Sequence, residues 1–503
     1  GQFSYSKVAF LGCRDLADYF LKHVVLVRNE IPEDTDVAAY FEIMNNRGAQ
    51  LQKHEIIKAK MMANIGSKEQ RGEFAKIWDA CSQMDTPIQR LFSSVDRKKY
   101  FGETYDGFPF VDREKDFGKT YDGFTFPVIV ELGEPQNDKA VQWSLEDILL
   151  DKAEQIGPVR HDETDTMETD VYSYNSVIDF PNFLMHVLRL YLDTAPQNGN
   201  GVPLNEKELL PLNEKELLNE YGKNQEKINP VKFVKLLLFC RTAFDRFVVK
   251  TAADAEDPED GRKWVLLKPK SYGTSWKFTS SFEDEVSQRK VVKALSMLQV
   301  TFRTRIYKTW LYDVLKWLYA KYQQEKILSF GADAYLDFLH RWMLDYYTAQ
   351  HFDIRKLPDG ELPSSNNSCS LGTGTPHFLL NFIDYLYWCR ESGKYADFEF
   401  KYWNSVEHHL AQNKATGEAE QYVDCLGNLY LISRSANSRL SDRVVQEKVD
   451  FYQGKNMGPN RQIIYEMTKS NGYRWEGKQI AEHYNDIVDL LCRRYEILGL
   501  ENK

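Results

Sequence analysis

The sequence predicts a mainly α-helical protein, with a multi-helix body and a small carboxy-terminal unit built from two strands and a helix. Three observations predict this fold class. Apolar residues recur at three- and four-residue spacing through much of the chain, which is the period of an amphipathic helix. Glycine, serine, proline and asparagine gather in short joints between these stretches. Strand-like alternation of apolar and polar residues appears near the carboxy terminus.

The helical pattern is clearest in the second half of the chain. Residues 294–322 and 334–347 repeat apolar and aromatic side chains at helical spacing, and these stripes are expected to pack in the core. A further helix is predicted after Thr375, with Thr375 as its cap and Pro376 at the first helical position. Proline is tolerated there because its missing N–H would have had no partner inside the helix.

A chain of 503 residues is longer than one core usually serves, so several domains are expected. Joints are predicted in the acidic stretch HDETDTMETD, in APQNGNGV and across residues 356–375. These joints and the helical stretches divide the chain into four regions: 1–70, 71–225 with loops and a linker, a helical domain at 226–390, and a carboxy-terminal domain at 391–503 with a terminal helix.

Charge and cysteine content exclude some classes of protein. The net charge of −10 argues against a surface coated for nonspecific nucleic-acid binding, although residues 426–478 carry nine Lys or Arg against five Asp or Glu. No apolar run reaches the roughly 18–20 residues that a membrane span needs. The seven cysteines form no CxxC pair, which is typical of free thiols in a reducing compartment. We therefore expect a cytoplasmic protein without a membrane partner.

The chemistry-bearing residues begin in the stretch FEFKYWNSVEHHLAQN, residues 398–413. Its alternation predicts a short strand, and the strand delivers Glu407, His408 and His409 together at its end. Because neighbouring strand residues point to opposite faces, a bend is needed there to aim a carboxylate and an imidazole at one point.

A second strand and a helix are predicted to follow this strand. Leu429–Ile432 has the composition of a strand, and residues 441–452 have the pattern of a helix with Ser441 as its cap. Hydrolysis of a phosphodiester needs a base for water, a cation for the developing charge, and a group that orients the base. Histidine beside a carboxylate, with an asparagine near the helix, can supply such a set, whereas an isolated Glu-His pair is usually structural.

The motifs EHHLAQ, LGNLYLIS and ANSRLS, followed by a lysine, resemble the HNH domain of the GmrSD-type modification-dependent restriction endonucleases. That family's pattern is a Glu- or Asp-His pair, an apolar residue, any residue, Pro and Gln, then a GNL strand and an Asn-Ser turn. The likeness extends through the tail helix GYRWEGKQIAEHYNDIVDLL. It implies that the carboxy-terminal unit is a ββα-metal, HNH-like nuclease domain.

The resemblance also implies a role for each motif residue. His408 would be the general base, Glu407 a metal ligand, Asn428 the residue that orients the histidine loop, and Asn437 the second metal ligand. The metal would be divalent, Mg²⁺ in the first place and Mn²⁺ as an alternative. His409 adds a second histidine that could act instead, and His408 is favoured.

The resemblance further implies that DNA is the substrate, held by positive side chains near Asn437, namely Arg434, Arg439, Arg443 and Lys448. The sequence departs from the family at Ala411, which stands where proline is usual.

A second segment, residues 40–62, resembles the end of the family's amino-terminal nucleotide-hydrolysing domain. The matching positions are Phe41, Asn45, Arg47, Gly48, Leu51, Glu55 and Lys58. A turn followed by an amphipathic helix explains the same residues without catalysis. The family's Asp-Gly-Gln-Gln-Arg motif does not occur in the sequence, so the nucleotide site is not carried over and region 1–70 is interpreted as a remnant of that domain.

The resemblance predicts an HNH-type endonuclease that hydrolyses phosphodiesters in bacterial defence against foreign or modified DNA, including phage DNA. Two alternatives stay open. One is a noncatalytic DNA-binding or regulatory subunit with a degraded HNH scaffold, which the alanine at position 411 and the acidic net charge favour. The other is a scaffold protein in which Glu407 and His408 are structural. The sequence leaves the recognised modification and the oligomeric state open.

Overall fold

The structure is a computed structural model, and it describes most of the chain outside the amino-terminal region and several connecting segments. The described residues are 52–101, 174–194, 214–253, 262–272, 275–302, 308–325, 330–355, 370–440, 442–451 and 456–501. The chain divides into two units after Gln52, and every feature below belongs to the second unit, Lys53–Lys503.

The described residues are mainly helical, which confirms the predicted fold class. The helices of the body are α1 (Lys53–Ala63), α2 (Lys68–Ser82), α3 (Ser94–Phe101), α4 (Phe180–Thr194), α5 (Leu217–Asn224), α6 (Pro230–Phe247), α7 (Glu285–Thr301), α8 (Thr309–Glu325) and α9 (Ala332–Ala349). The helices of the carboxy-terminal part are α10 (His377–Arg390), α11 (Glu418–Tyr422), α12 (Arg434–Leu440), α13 (Val445–Phe451), α14 (Pro459–Ser470), α15 (Gly477–Cys492) and α16 (Arg494–Ile497).

The strands of the described residues form three small antiparallel sheets. They are β1 (Tyr174–Asn175), β2 (Lys250–Ala253), β3 (Arg262–Val265), β4 (Leu267–Tyr272), β5 (Ser275–Ser280), β6 (Ser405–His408) and β7 (Leu429–Ile432). The pairings are β1–β2–β3, β4–β5 and β6–β7. The third pair is the predicted carboxy-terminal hairpin, and its second strand has the predicted bounds.

Observed helix boundaries refine the sequence predictions. The pattern at 334–347 belongs to α9, whereas the pattern at 294–322 is shared by α7 and α8. The predicted cap of α10 is wrong by one residue. Pro376 takes the cap position without a side-chain hydrogen bond, and the hydroxyl of Thr375 donates to the carbonyl of Gly372 at 2.8 Å. Proline fits this position because its φ of −58° suits an extended residue before a helix.

Helix α10 connects the body to the carboxy-terminal part. Nearly all of its side chains are buried, and it contacts α7 on one side and α14 and α15 on the other. A buried lysine strengthens this junction, because the ammonium of Lys293 on α7 donates to the carbonyl of Phe398 and lies 3.1 Å from Glu399. The hairpin and the body therefore share one hydrophobic core.

Some sequence predictions fall outside the described residues. They include the joints at 161–170 and 195–202, the amino-terminal motif up to Leu51, and the candidate cap Ser441. The helix predicted at the end of the amino-terminal motif is present as α1, where Lys58 donates to Asp79 at 2.6 Å. The boundaries proposed for the four regions stay predictions.

Within the described residues, no helix combines the length and the apolar character needed to cross a bilayer. No disulfide joins the described cysteines, which are Cys81, Cys240, Cys389, Cys425 and Cys492.

Candidate functional site

The β6–β7 hairpin carries Glu407 and His408 at the end of its first strand. Its register places Glu407 opposite Tyr430 and His408 opposite Leu429. All four residues of β7 are buried, and this strand packs on α10 and α14. Because the hairpin is anchored by its buried side chains, the end of β6 is held at a fixed place above the core.

Glu407 is paired with a lysine from the helix that follows the hairpin. The ammonium of Lys448 on α13 lies 2.6 Å from Oε1 of Glu407 and also donates to the carbonyl of His408 at 2.6 Å. The Lys448 side chain is 0% exposed. Burial lowers the pKa of the ammonium, and the charge of Glu407 opposes this shift. Helix α13 is thereby fixed to the end of β6 by a buried ion pair.

His408 contacts a different element from its neighbour Glu407. Its Nε2 lies 2.8 Å from Oδ1 of Asp424, which belongs to the segment before β7. The same carboxylate oxygen accepts a hydrogen bond from Gln412 at 2.8 Å. The His408 side chain is only 10% exposed, whereas that of Asp424 is 41% exposed, so the carboxylate lies nearer the surface than the imidazole.

His409, the second histidine of the motif, is fully buried. Its Nε2 lies 2.9 Å from the hydroxyl of Thr468, and its ring packs against Tyr465 and Trp475. Burial, with a smaller contribution from the positive charge of Lys448, holds the pKa of this imidazole well below its ordinary value. His409 is therefore a neutral packing residue in this conformation, and solvent does not reach it.

Asn428 ties together the segments on both sides of the hairpin. Its buried side-chain amide accepts from the backbone N–H of Leu410 at 2.9 Å and from the indole of Trp475 at 3.0 Å. It donates to the carbonyls of Leu410 and Val423 at 3.1 and 2.8 Å. The backbone carbonyl of Asn428 also accepts from the N–H of His409 at 2.8 Å. This geometry fits a residue that orients the histidine loop.

The segment of Asn428 also packs closely against α15. A Cβ at Gly427 would overlap the carbonyl of Ile480 and the backbone of Tyr484, so a residue without a side chain is needed there. The carbonyl of Gly427 lies 2.8 Å from Nδ1 of His483. Helix α15 therefore packs directly against the segment that contains Asn428.

Asn437 lies on α12, so the predicted Asn-Ser turn is part of a helix instead. Its Nδ2 donates to Oγ of Ser405 at 2.6 Å. The side-chain oxygen of Asn437, Oδ1, accepts no hydrogen bond from any residue that the structure describes. Ser405 and Glu407 are two residues apart on β6 and so belong to the same face of the strand. Helix α12 thus brings Asn437 to the face that carries Glu407.

The donor set of Asn437 and Glu407 fits a hard divalent cation. Carboxylate and amide oxygens are ligands of Mg²⁺, which keeps several waters and needs few protein groups. Oε1 of Glu407 is already paired with Lys448, which leaves the second carboxylate oxygen and the amide oxygen of Asn437 for an ion. Among the described residues, no group of three or more His, Cys, Asp or Glu side chains is arranged to hold a metal.

The four predicted DNA-binding cations divide into two groups. Arg434, Arg439 and Arg443 are exposed on α12 and the turn after it, and the guanidinium of Arg443 donates to the carbonyl of Arg439 at 3.1 Å. Lys448 lies under this surface instead, in its buried pair with Glu407. In this conformation its ammonium has no exposed surface with which to contact a phosphate.

The alanine at position 411 has a backbone conformation that proline, the residue usual there in the resembled family, can also adopt. Its φ is −65° and its ψ is 141°, at the start of a short 3₁₀ turn. A φ near −65° is the value to which the proline ring is restricted. The N–H of Ala411 donates no hydrogen bond to any residue that the structure describes. A proline would therefore fit the backbone of this loop.

We expect Ala411→Pro to raise the free energy of unfolding by about 0.4–1 kcal/mol, because proline restricts the unfolded chain and here replaces no hydrogen bond. Thermal unfolding of the variant beside the wild type measures this effect. Destabilisation would show that the ring collides with Leu410 or that the N–H is used.

A buried carboxyl supports β7 from the side of α10. Oδ1 of Asp384 accepts from the backbone N–H of Asn460 at 2.8 Å, at the start of α14. The amide of Asn460 donates in turn to the carbonyl of Leu429 at 2.9 Å. The backbone at Gly458 approaches so closely that a Cβ would overlap the carboxyl. Burial raises the pKa of Asp384 to about 7, and the nearby charge of Arg461 keeps this rise from being larger.

This carboxyl should make stability depend on pH. The folded protein holds the proton up to about pH 7, whereas the unfolded chain loses it near its ordinary pKa of 3.8. Stability from this group is fully present below about pH 4 and is lost as the pH rises to 7. Asp384→Asn mimics the protonated acid and cannot lose this proton. As the pH rises from 4 to 8, its free energy of unfolding should therefore increase relative to that of the wild type, by on the order of 2–4 kcal/mol. Unfolding midpoints across this range test it, and parallel curves for the two proteins would contradict it.

Sequence reasoning missed Asp424, Asp384 and the buried pairing of Lys448. Asp424 is an acidic residue four positions before Asn428 in YVDCLGNL, and that position was the available signal. The contact between Asp424 and His408 could not be predicted, because the two residues are sixteen positions apart and only the folding of the loop between the two strands brings them together.

Comparison with known families gives one finding for this chain. Residues 372–490 match the family described as GmrSD restriction endonucleases, C-terminal domain. The matched segment begins before α10 and ends within α15, so it contains the whole hairpin and every site residue described above. Comparisons with curated proteins and with solved structures give no match.

Proposed function

We propose that this chain, whose residues 372–490 belong to the GmrSD-type C-terminal domain family, is a metal-dependent DNA endonuclease with an HNH-type site on the β6–β7 hairpin. One observation carries the proposal. Within the matched segment, Glu407 and His408 lie at the end of β6, Asn437 contacts Ser405 at the start of the same strand, and Asn428 fixes the loop that follows it. The family match supports a restriction endonuclease, and this arrangement supports the finer assignment.

His408 is the proposed general base. A neutral imidazole can take a proton from a water molecule whose oxygen attacks the phosphorus atom. The bond from phosphorus to the leaving oxygen then breaks, and that oxygen takes up a proton from solvent. His408 suits this role better than His409 because 10% of its side chain is exposed and its ring is hydrogen-bonded to Asp424.

His409 is not the proposed base, because its ring is 0% exposed and lies between aromatic side chains. A substrate phosphate could reach it only if the core opened. Of the two histidines that follow Glu407, the first is thus the better placed to act on water.

Glu407 and Asn437 are the proposed ligands of a divalent ion, Mg²⁺ or Mn²⁺. Such an ion would stabilise negative charge on the phosphate and on the leaving oxygen. Lys448 holds the Glu407 carboxylate in place at the end of β6 through their buried ion pair. It is therefore a positioning residue in this proposal and not part of the DNA-binding surface.

DNA is proposed to lie across the exposed arginines Arg434, Arg439 and Arg443. They flank Asn437 on α12 and the turn after it, next to the proposed position of the cleaved phosphate. Arginine is suited to phosphate because its guanidinium donates two parallel hydrogen bonds. The proposed biological setting is bacterial defence against foreign or modified DNA, including phage DNA, in the cytoplasm.

The test of this function is cleavage of supercoiled plasmid by the purified chain. Unmodified and base-modified DNA should each be incubated with Mg²⁺, with Mn²⁺ and with EDTA. We expect metal-dependent nicking of at least one DNA and none in EDTA. Binding without nicking under all conditions would instead support a noncatalytic DNA-binding or regulatory subunit, and neither binding nor nicking would support a scaffold protein.

The arginine surface makes a separate prediction about binding. We expect Arg434→Ala and Arg439→Ala each to weaken binding similarly on unrelated DNA sequences, because interactions with phosphate carry no sequence information. The slope of log affinity against log salt should become shallower by about one for each arginine–phosphate interaction that is removed.

Fluorescence anisotropy at several salt concentrations measures both effects. Arg341→Ala on α9, which removes the same charge from the body, is the matched control. If either site variant bound only one sequence more weakly, that arginine would contact bases rather than the DNA backbone.

A further inference from the structure

We propose that Asp424 is a positioning residue that fixes the proton of His408 on Nε2 and so leaves the lone pair of Nδ1 for the water molecule. The catalytic consequence rests on the function proposed above. The proton assignment itself rests only on contacts between side chains.

The assignment follows from the chemistry of the pair. An ionised carboxylate can only accept hydrogen bonds. Because Oδ1 of Asp424 lies 2.8 Å from Nε2 of His408, the ring nitrogen must donate. A neutral imidazole carries one proton, so Nδ1 is then the acceptor. Nδ1 makes no hydrogen bond to any residue that the structure describes, and it is therefore the atom available to a proton from water.

Asp424 is itself held by groups from two other segments. Gln412, from the loop after β6, donates to the same carboxylate oxygen at 2.8 Å. The backbone N–H of Gly372, before α10, donates to the carbonyl of Asp424 at 3.1 Å. Gly372 has a φ of +52°, and a Cβ there would overlap the carboxylate. The position and direction of the carboxylate are thus determined by packing as well as by hydrogen bonds.

The arrangement also explains how the charge produced by the reaction is accommodated. When Nδ1 takes a proton, the imidazole becomes positive while its Nε2–H still points at a negative carboxylate. Charge-assisted hydrogen bonds of this kind are roughly twice as strong as neutral ones. Asp424 therefore stabilises the protonated base and fixes the direction of its ring.

The first arm of the test measures the proton directly. Nitrogen NMR of the histidine-labelled chain, without metal or DNA, should show the proton of neutral His408 on Nε2, with the resonance assigned by its disappearance in His408→Ala. In Asp424→Asn, an isosteric change, this Nε2–H should exchange faster with water or move to the other nitrogen. A proton on Nδ1 in the wild type, or an Nε2–H unchanged by Asp424→Asn, would overturn the proposal.

The second arm measures the consequence in single-turnover cleavage. Asp424→Asn should slow the cleavage step by about 10- to 10³-fold, within the range of general-base contributions, and should leave DNA affinity within about twofold. Asp450→Asn on α13, an exposed aspartate of the same domain, is the matched control for charge. A rate within about twofold of that control would overturn the proposal, although the nuclease function would stand. A wild type that cleaves no DNA would refute the nuclease function instead, and the NMR arm would still decide the proton assignment.

Discussion

His408→Ala is expected to lower the single-turnover rate of DNA cleavage by about 10²- to 10⁴-fold, the usual contribution of a general base. Alanine removes the imidazole that takes the proton from water. It leaves untouched the arginines proposed to hold DNA and the oxygens proposed to hold the metal. DNA affinity and the metal concentration for half-maximal binding should therefore change little, and both are measured alongside cleavage.

Two comparison variants make the result specific. Glu407→Gln keeps an oxygen for Lys448 but removes the carboxylate charge, so it should raise the metal concentration needed for cleavage, and excess Mn²⁺ should restore part of the rate. His409→Gln can place an amide nitrogen near the hydroxyl of Thr468, so it should lower thermal stability and retain most activity. An inactive His409 variant beside an active His408→Ala would assign the base to the second histidine. Full activity in all three would place the nuclease site elsewhere.

Asn428→Ala should destabilise the protein by about 3–5 kcal/mol and also abolish most cleavage, since each buried polar group left without a partner costs about 1–3 kcal/mol. The buried amide makes four hydrogen bonds, to backbone groups of Leu410 and Val423 and to the indole of Trp475. A destabilisation of this size is unusual for one substitution and marks a broken buried network.

Thermal unfolding combined with hydrogen exchange of residues 405–432 measures this effect. We expect faster exchange at the N–H of Leu410, since its acceptor is the side-chain oxygen of Asn428 that alanine lacks. Asn413→Ala is the matched control, because that asparagine is exposed and makes one weak hydrogen bond with Asp442 at 3.4 Å. Equal stability of the two variants would show that water or a rearranged loop replaces the network.

Much of the helical body could be predicted because its helices carry apolar side chains at a regular spacing. Helix α9 was identified from that period alone. The division of the 294–322 pattern between α7 and α8 was missed, because the apolar spacing continues through the sequence that connects the two helices. The cap of α10 was predicted one residue too early. The hydroxyl of Thr375 bonds to Gly372 in the preceding turn, and a threonine followed by a proline does not by itself indicate this contact.

The chemistry of the site could be predicted where the acting residues are adjacent in sequence. Glu407 and His408 were identified as a pair because they end one strand, and the hairpin that carries them is present. The partners Asp424 and Lys448 were missed or given another role because they come from a loop and a helix farther along the chain. Their positions depend on how these elements pack, which the local sequence does not encode.

By itself the sequence determined the mainly helical fold class, the strand at Leu429–Ile432 and the residue types available for phosphodiester chemistry, because periodicity and short motifs are local properties. The tertiary structure decided which of those residues meet. It buried His409 completely among aromatic rings and left 10% of the His408 side chain exposed. It also paired Lys448 with Glu407 and brought Asp424 to His408, because each of these contacts requires α13 and the loop before β7 to close over the end of β6.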